Sequence, residues 1–186
     1  SLTLDAPQLQ GGAAIALDDV SLTLEVGGER FRQIGRVLIT HWGLSGPATL
    51  RLTAFAARAL QASRYRATLN VSWCSGWPQA NLLEALREQR TKAARRTLAA
   101  SRPLANHLPR RLWLSMLKKV GVAADQRWAD CPAKVEQGLL DQLQRCRYPV
   151  KGRGPFGEEF VTAGGVDLGE INLATMESRC CPGLHL

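Results

Sequence analysis

The nine residues Thr40-His41-Trp42-Gly43-Leu44-Ser45-Gly46-Pro47-Ala48 decide how this chain is read. They follow the apolar run Val37-Leu38-Ile39 and lead into Leu50 to Leu60, which reads as a helix. The order predicts a strand, a tight glycine-bearing turn, and a helix whose start is marked by Ser45 and Pro47. Glycine supplies turn angles that side chains resist, and proline fits a first helical turn, where its missing N–H is no loss. The free N–H groups of such a start form a ready anion site, and His41 and Ser45 could both point into the same turn. A capped turn that binds nothing fits the same residues.

On the N-terminal side, residues 1–16 carry little pattern beyond Gly11-Gly12, and Pro7 interrupts any regular element. From Asp19 to Val26 the apolar positions Val20, Leu22, Leu24 and Val26 alternate with polar ones, the period of a half-buried strand. Gly27-Gly28 predicts a two-residue hairpin turn, with Glu29 to Ile39 as the partner strand. Alternation returns from Tyr65 to Trp73. Together these pieces predict a small antiparallel sheet or barrel in residues 1–76.

Gly76-Trp77-Pro78 marks a change of period. Leu82, Leu83, Leu86, Ala93, Ala94 and Leu98 recur at helical spacing, and Pro103 stops that helix. A second helix runs from about Pro109 to Val120, with Leu112, Trp113, Met116 and Leu117 on its apolar face and Gly121 ending it. Pro132 opens a third, carrying Val135, Leu139, Leu140 and Leu143. Residues 77–147 therefore form a compact helical unit. From Tyr148 the chain turns strand-like again over 148–186, with one strand at Phe160 to Val166 and another from Glu170 to Met176. The reading is α+β: sheet, helical insertion, sheet.

Charge supports that division. Residues 79–147 hold 14 Lys/Arg against 6 Asp/Glu, so they contain the whole net charge of +8. A basic helical segment can bind nucleic acid, but a solvated amphipathic face carries the same charges, and no nucleic-acid motif is present. The 45% hydrophobic and 22% charged content belongs to a folded globular chain. No apolar run approaches the roughly 20 residues of a membrane helix, and no secretory start is visible, so a cytoplasmic location is expected. The five cysteines form no C-x-x-C pair and suit reduced thiols rather than a disulfide framework or a metal site. The chain starts at Ser1 without Met and stops at Leu186 after a strand-like run, as a piece of something longer would.

Two motifs invite stronger chemistry. Gly152-Arg153-Gly154-Pro155-Phe156-Gly157 matches G-x-G-x-x-G, but Pro155 removes an N–H and a strand-like run follows, so it reads as a loop. Gly43-Leu44-Ser45-Gly46 approaches a nucleophile elbow, but Pro47 occupies the place of its second glycine. His107 and His185 are poorly placed to complete a triad, and Ser45 reads better as a cap.

Five stretches then stand in a familiar order: Thr40 to Pro47; Leu108-Pro109-Arg110-Arg111-Leu112-Trp113; Val161-Thr162-Ala163-Gly164-Gly165-Val166; Thr175-Met176-Glu177-Ser178-Arg179; and Pro182-Gly183-Leu184. They resemble the middle region of bacterial FAD-dependent flavoproteins of the YhiN/BaiN type, which include aminoacetone-oxidase-like oxidoreductases. The resemblance implies a small translation-factor-like β-barrel interrupted by a helical subdomain, with stubs of an FAD-binding domain. It implies that the parent protein holds FAD, while this fragment, lacking the glycine-rich fingerprint, holds none alone. One departure stands near the end, where His185 occupies the place of a usual aromatic.

The expected partners are the FAD-binding domain of the same parent chain, a small-molecule substrate, and NAD(P)H as a candidate electron donor. No membrane is expected, and nucleic acid only if the basic helices form a binding module. Thr40, Gly43, Ser45, Gly46, Thr162, Gly164, Gly165, Thr175, Met176 and Ser178 are expected to face flavin or substrate. His41 is the candidate proton carrier, since an unperturbed imidazole titrates near neutrality.

Overall fold

Two long alternating strands supply most of the barrel wall. The structure, a computed structural model, describes residues 1–7, 9, 13–154 and 164–186. Strand β2 (Ala16–Val26) buries Val20, Leu22, Leu24 and Val26 and turns Thr23 and Glu25 outward. Gly27 and Gly28 take φ of 59° and 83°, so the chain reverses in two residues into β3 (Glu29–Ile39).

The other strands of the barrel are β1 (Leu2–Leu4), β4 (Gly43–Ser45), β5 (Ala67–Ser72) and β6 (Cys146–Arg153). Around the sheet the order is β1-β4-β3-β2-β5-β6, and it closes. β1 pairs with both β4 and β6, and so joins the two ends of the sheet. Closure removes the exposed edges that an open sheet would present to other chains. The unpatterned start of the chain therefore holds the closing strand, which three residues are too few to announce by alternation.

The helix expected over Leu50 to Leu60 is two helices, α1 (Pro47–Phe55) and α2 (Ala57–Ala62), parted at Ala56. Ala48, Leu52, Ala56 and Leu60 seal them against the barrel core.

Between β5 and β6 lie α3 (Gln79–Lys92), α4 (Arg110–Val120) and α5 (Ala133–Gln144). Gly121, at φ 79°, ends α4 as expected. The first of these helices stops at Lys92, well short of Pro103. Residues 94–98 give their backbone groups to a distant partner: Trp128 N–H donates to Arg96 O (3.1 Å) and Ala129 N–H to Ala94 O (3.0 Å). Leu98 N–H donates to Gln126 O (3.0 Å), and Thr97 bridges Arg127. Long-range pairing outbids local helix propensity here.

Two indoles centre this unit. Trp113 and Trp128 stack with centroids 6.2 Å apart, and neither is exposed. Their N–H groups donate to Leu98 O (2.7 Å) and Ser101 O (2.9 Å), so no donor is lost on burial. Glu136, in the first turn of α5, is buried and meets Arg87 (3.4 Å) and Arg90 (3.6 Å) of α3. The hydrophobic core runs without a break from Leu2, Leu24 and Val71 to Leu86, Trp113 and Leu143.

Near the C-terminus the strand expected from Glu170 to Met176 is interrupted. A 3-10 turn at Leu168–Glu170 precedes β7 (Ile171–Asn172), which pairs with β8 (Glu177–Ser178). Asn172 Oδ1 accepts from Ala174 N–H (3.1 Å), an Asx turn that folds the chain back, with Met176 at φ 58°. Most of the strand expected at Phe160 to Val166 falls outside the described residues.

Candidate functional site

The opening stretch is a hairpin loop rather than a strand-to-helix elbow. Thr40 N–H donates to Gly43 O (2.9 Å), and Gly43 N–H returns a bond to Thr40 Oγ1 (3.1 Å). His41 stands at the tip, exposed, and Trp42 O accepts from Leu4 N–H (2.9 Å). At Gly43 the backbone of β1 comes so close that a Cβ would lie 2.2 Å from Leu2 O. Gly46, at φ 94°, then turns the chain into α1 and presses on β3, where a Cβ would meet Leu38 N at 2.9 Å.

Ser45 caps nothing. Its hydroxyl meets the Ser1 hydroxyl at 2.9 Å, and its carbonyl accepts from Thr49 Oγ1 (3.0 Å). The cap position of α1 falls to Gly46, with no side-chain bond. Ala48 and Thr49 expose no surface, so the start of α1 presents no open N–H groups to an anion. The loop instead gathers the beginning of the chain and the end of β6, because Thr3 Oγ1 donates to Arg153 O (2.6 Å) nearby. This pole of the barrel is where the chain enters and where it leaves.

The other expected site residues lie elsewhere. Thr175, Met176 and Ser178 share the β7–β8 hairpin, in which His185 Nδ1 lies 3.1 Å from Thr175 O and Ser178 Oγ accepts from Cys180 and Cys181 N–H (3.2 and 3.1 Å). Gly164 and Gly165 are exposed, and Thr162 lies outside the described residues. Among the described residues no hydrogen bond joins the His41 loop to this hairpin. The structure thus brings together Thr40, His41, Gly43, Ser45 and Gly46 as one group, and Thr175, Met176 and Ser178 as another.

Burial pushes the Cys74 thiol up to about 12 and raises Cys131 as well. Burial, with Cys146 beside it, also raises Tyr148. All five cysteines are free. Among the described residues no cluster of His, Cys, Asp or Glu is arranged to hold a metal, and no helix is long and apolar enough to cross a membrane.

Two basic surfaces remain. On the helical unit, Arg95, Arg96, Arg110, Arg111, Lys118 and Arg127 are exposed, and no ion pair among the described residues engages them. The second was missed in the sequence. It is a cleft of about 490 Å³ on the outer barrel wall, where Arg30, Arg32, Arg145 and Arg147 converge. The polar half of each strand's alternation was the available signal, but only the strand register shows which polar positions meet.

This chain is a closed barrel with a helical unit inserted between its fifth and sixth strands, β5 and β6, and a family match names the same two parts. The chain belongs to the family described as HI0933-like protein barrel and H2TH domain, which matches residues 1–161. It corresponds to the insertion region that the resemblance named. It is also 33% identical over 178 residues to the ribosomal RNA dihydrouridine synthase of Escherichia coli (strain K12). That match covers 96% of this chain and 40% of the relative, so the chain spans about two-fifths of the relative's length.

If His41 carries a proton, its effect must be on rate and not on folding, because its side chain stands in solvent. In the full-length protein His41→Ala is expected to slow turnover about 100-fold, with the unfolding temperature unchanged. Turnover equal to that of the unaltered protein would leave His41 as an ordinary loop residue.

Proposed function

We propose that this chain is the RNA-holding unit of a flavin-dependent enzyme that reduces uridine in ribosomal RNA, at work in the bacterial cytoplasm. The observation that carries the reading is the 33% identity, along nearly the whole chain, to a protein named for that reaction. The arginine cleft on the barrel wall supports it, since guanidinium groups displayed on rigid strands supply the phosphate attraction that dominates nucleic-acid affinity. The two functions weighed from the sequence, redox enzyme and nucleic-acid module, then become one. The uracil base takes the place of a free small-molecule substrate.

Dihydrouridine differs from uridine by two electrons and two protons added across the C5=C6 bond, so the parent needs a redox group. Two observations speak against an FAD cradle within this unit. Gly152 lies inside β6 instead of before a helix, and Ala48 and Thr49 at the start of α1 are buried. The flavin is therefore assigned to the FAD-binding domain of the parent chain, with NAD(P)H as its reductant. This unit's own work is to hold and orient the RNA. The exposed His41, at the pole where the chain enters and leaves the barrel, is its candidate proton source towards that domain.

The test is direct. Full-length protein, given NAD(P)H and ribosomal RNA transcribed without modifications, is expected to convert a uridine to dihydrouridine, read by mass spectrometry of the digested nucleosides. RNA that comes back with every uridine intact, from protein that holds its flavin, overturns the reading.

A further inference from the structure

We infer that the arginine cleft on the outer barrel wall is the surface on which the RNA backbone docks, an inference that rests on the reading just given. Strand register builds it. Arg32 on β3 lies opposite Thr23 on β2, Thr23 opposite Asn70 on β5, and Asn70 opposite Arg147 on β6. One straight row therefore crosses four strands, with a guanidinium at each end and neutral hydrogen-bonding groups between. With strands spaced about 4.8 Å apart, the row spans roughly 14 Å.

Neighbouring rows complete the cleft. Ser21 lies opposite Ser72, and Glu25 lies opposite both Arg30 and Thr68. Arg145 enters from the end of α5, beside Gln144. Four arginines here meet two carboxylates, Glu25 within the cleft and Asp141, which pairs with Arg145 at 2.6 Å, so positive charge stays in excess.

The side chains are ordered as a docking surface requires. Arg32 Nε donates to Ser21 Oγ (3.2 Å), which fixes that guanidinium along the wall. Glu25 holds Arg30 at 2.9 Å and reaches Arg147 at 3.9 Å. It occupies these two guanidinium groups as a phosphate would, and an incoming phosphate has to displace it. Arginine forks match phosphate geometry, and the Ser, Thr and Asn groups between them suit ribose hydroxyls and base edges. The walls are β-strands of a closed barrel, so the spacing of the charges is set before the RNA arrives. The basic residues of the helical unit are not aligned by a common strand register in this way. A tally by segment hides this cleft, because Arg30 and Arg32 lie in the part of the chain with no net charge.

Binding of deproteinised Escherichia coli ribosomal RNA to the full-length protein, measured across a salt series, tests the assignment. The triple variant Arg32→Gln/Arg145→Gln/Arg147→Gln is expected to bind at least about tenfold more weakly. Its plot of log affinity against log salt should be shallower by about 2, from three lost phosphate contacts. Arg95→Gln/Arg96→Gln/Arg127→Gln, with the same loss of charge on the helical unit, should stay within about twofold of the unaltered protein. Glu25→Gln should bind about threefold tighter or more, a gain that misfolding does not produce.

Equal losses in the two triple variants, or no gain from Glu25→Gln, overturn the cleft and leave the RNA reading standing. Absence of any binding at low salt, even by the unaltered protein, overturns the RNA reading and the cleft with it. Displacement of the RNA by polyglutamate at equal charge would assign the cleft to an acidic protein instead.

Discussion

Replacing Gly43 with alanine is expected to open the barrel. The added Cβ would lie 2.2 Å from Leu2 O and 2.9 Å from Leu4 N. Both are backbone atoms of β1, so no flexible side chain can swing aside. β1 would have to lift away, giving up its pairing with β4 and β6 and exposing the buried Leu2 and Leu4. Each leucine contributes about 1.5–3 kcal/mol through burial. Their combined loss, about 3–6 kcal/mol, is comparable to the whole stability of many domains, about 5–15 kcal/mol.

The thiols give a clean measurement. Cys180 and Cys181 are exposed, whereas Cys74, Cys131 and Cys146 are buried, so a native chain should label quickly at two positions. The Gly43→Ala chain should label at the buried positions too. Gly27→Ala is the control. Its φ of 59° disfavours a side chain, but nothing lies within 4 Å, so the cost should be about 1–2 kcal/mol, and slow labelling of the buried thiols should persist. A Gly43→Ala chain that labels like the native one would show that β1 is not the strand that closes the barrel.

The contrast between these two glycines shows what the sequence discloses and what it withholds. Gly27-Gly28 is readable because its function is local: two residues between alternating strands need positive φ. Gly121 after α4 is readable for the same reason. Gly43 is different, because its demand comes from β1, about forty residues earlier in the chain, and nothing beside it reveals that approach. The end of α3 at Lys92 was hidden in the same way, since residues 94–98 leave the helix to pair with residues 126–129. The candidate site follows this pattern. Thr40 to Gly46 was recognisable as a special turn, but its geometry depends on Ser1 and Leu4, which lie outside it. The arginine row could not be read at all, because each strand contributes one polar residue that looks like ordinary solvent-facing alternation. Only the register of four strands makes a surface of them.

The second large effect is expected from Trp128→Ala. Trp128 is wholly buried against Trp113, and its indole N–H satisfies Ser101 O. Truncation removes the packing, leaves a cavity beside the second indole and strands a carbonyl, a loss of about 3–5 kcal/mol. Trp128→Phe should keep most of the packing, losing chiefly the hydrogen bond, about 1–3 kcal/mol. How the damage spreads depends on the junction between helices and barrel. Trp73 N–H, at the end of β5, donates to Leu143 O of α5 (2.9 Å), and His107 Nε2 lies 3.1 Å from Trp73 O. The core also passes through this junction without a gap. Cys131 in the helical unit and Cys74 at the barrel end should therefore become accessible to thiol reagents together, in one transition at a lowered temperature. Labelling of Cys131 while Cys74 stays protected would mean that the helical unit melts alone, with the barrel standing without it.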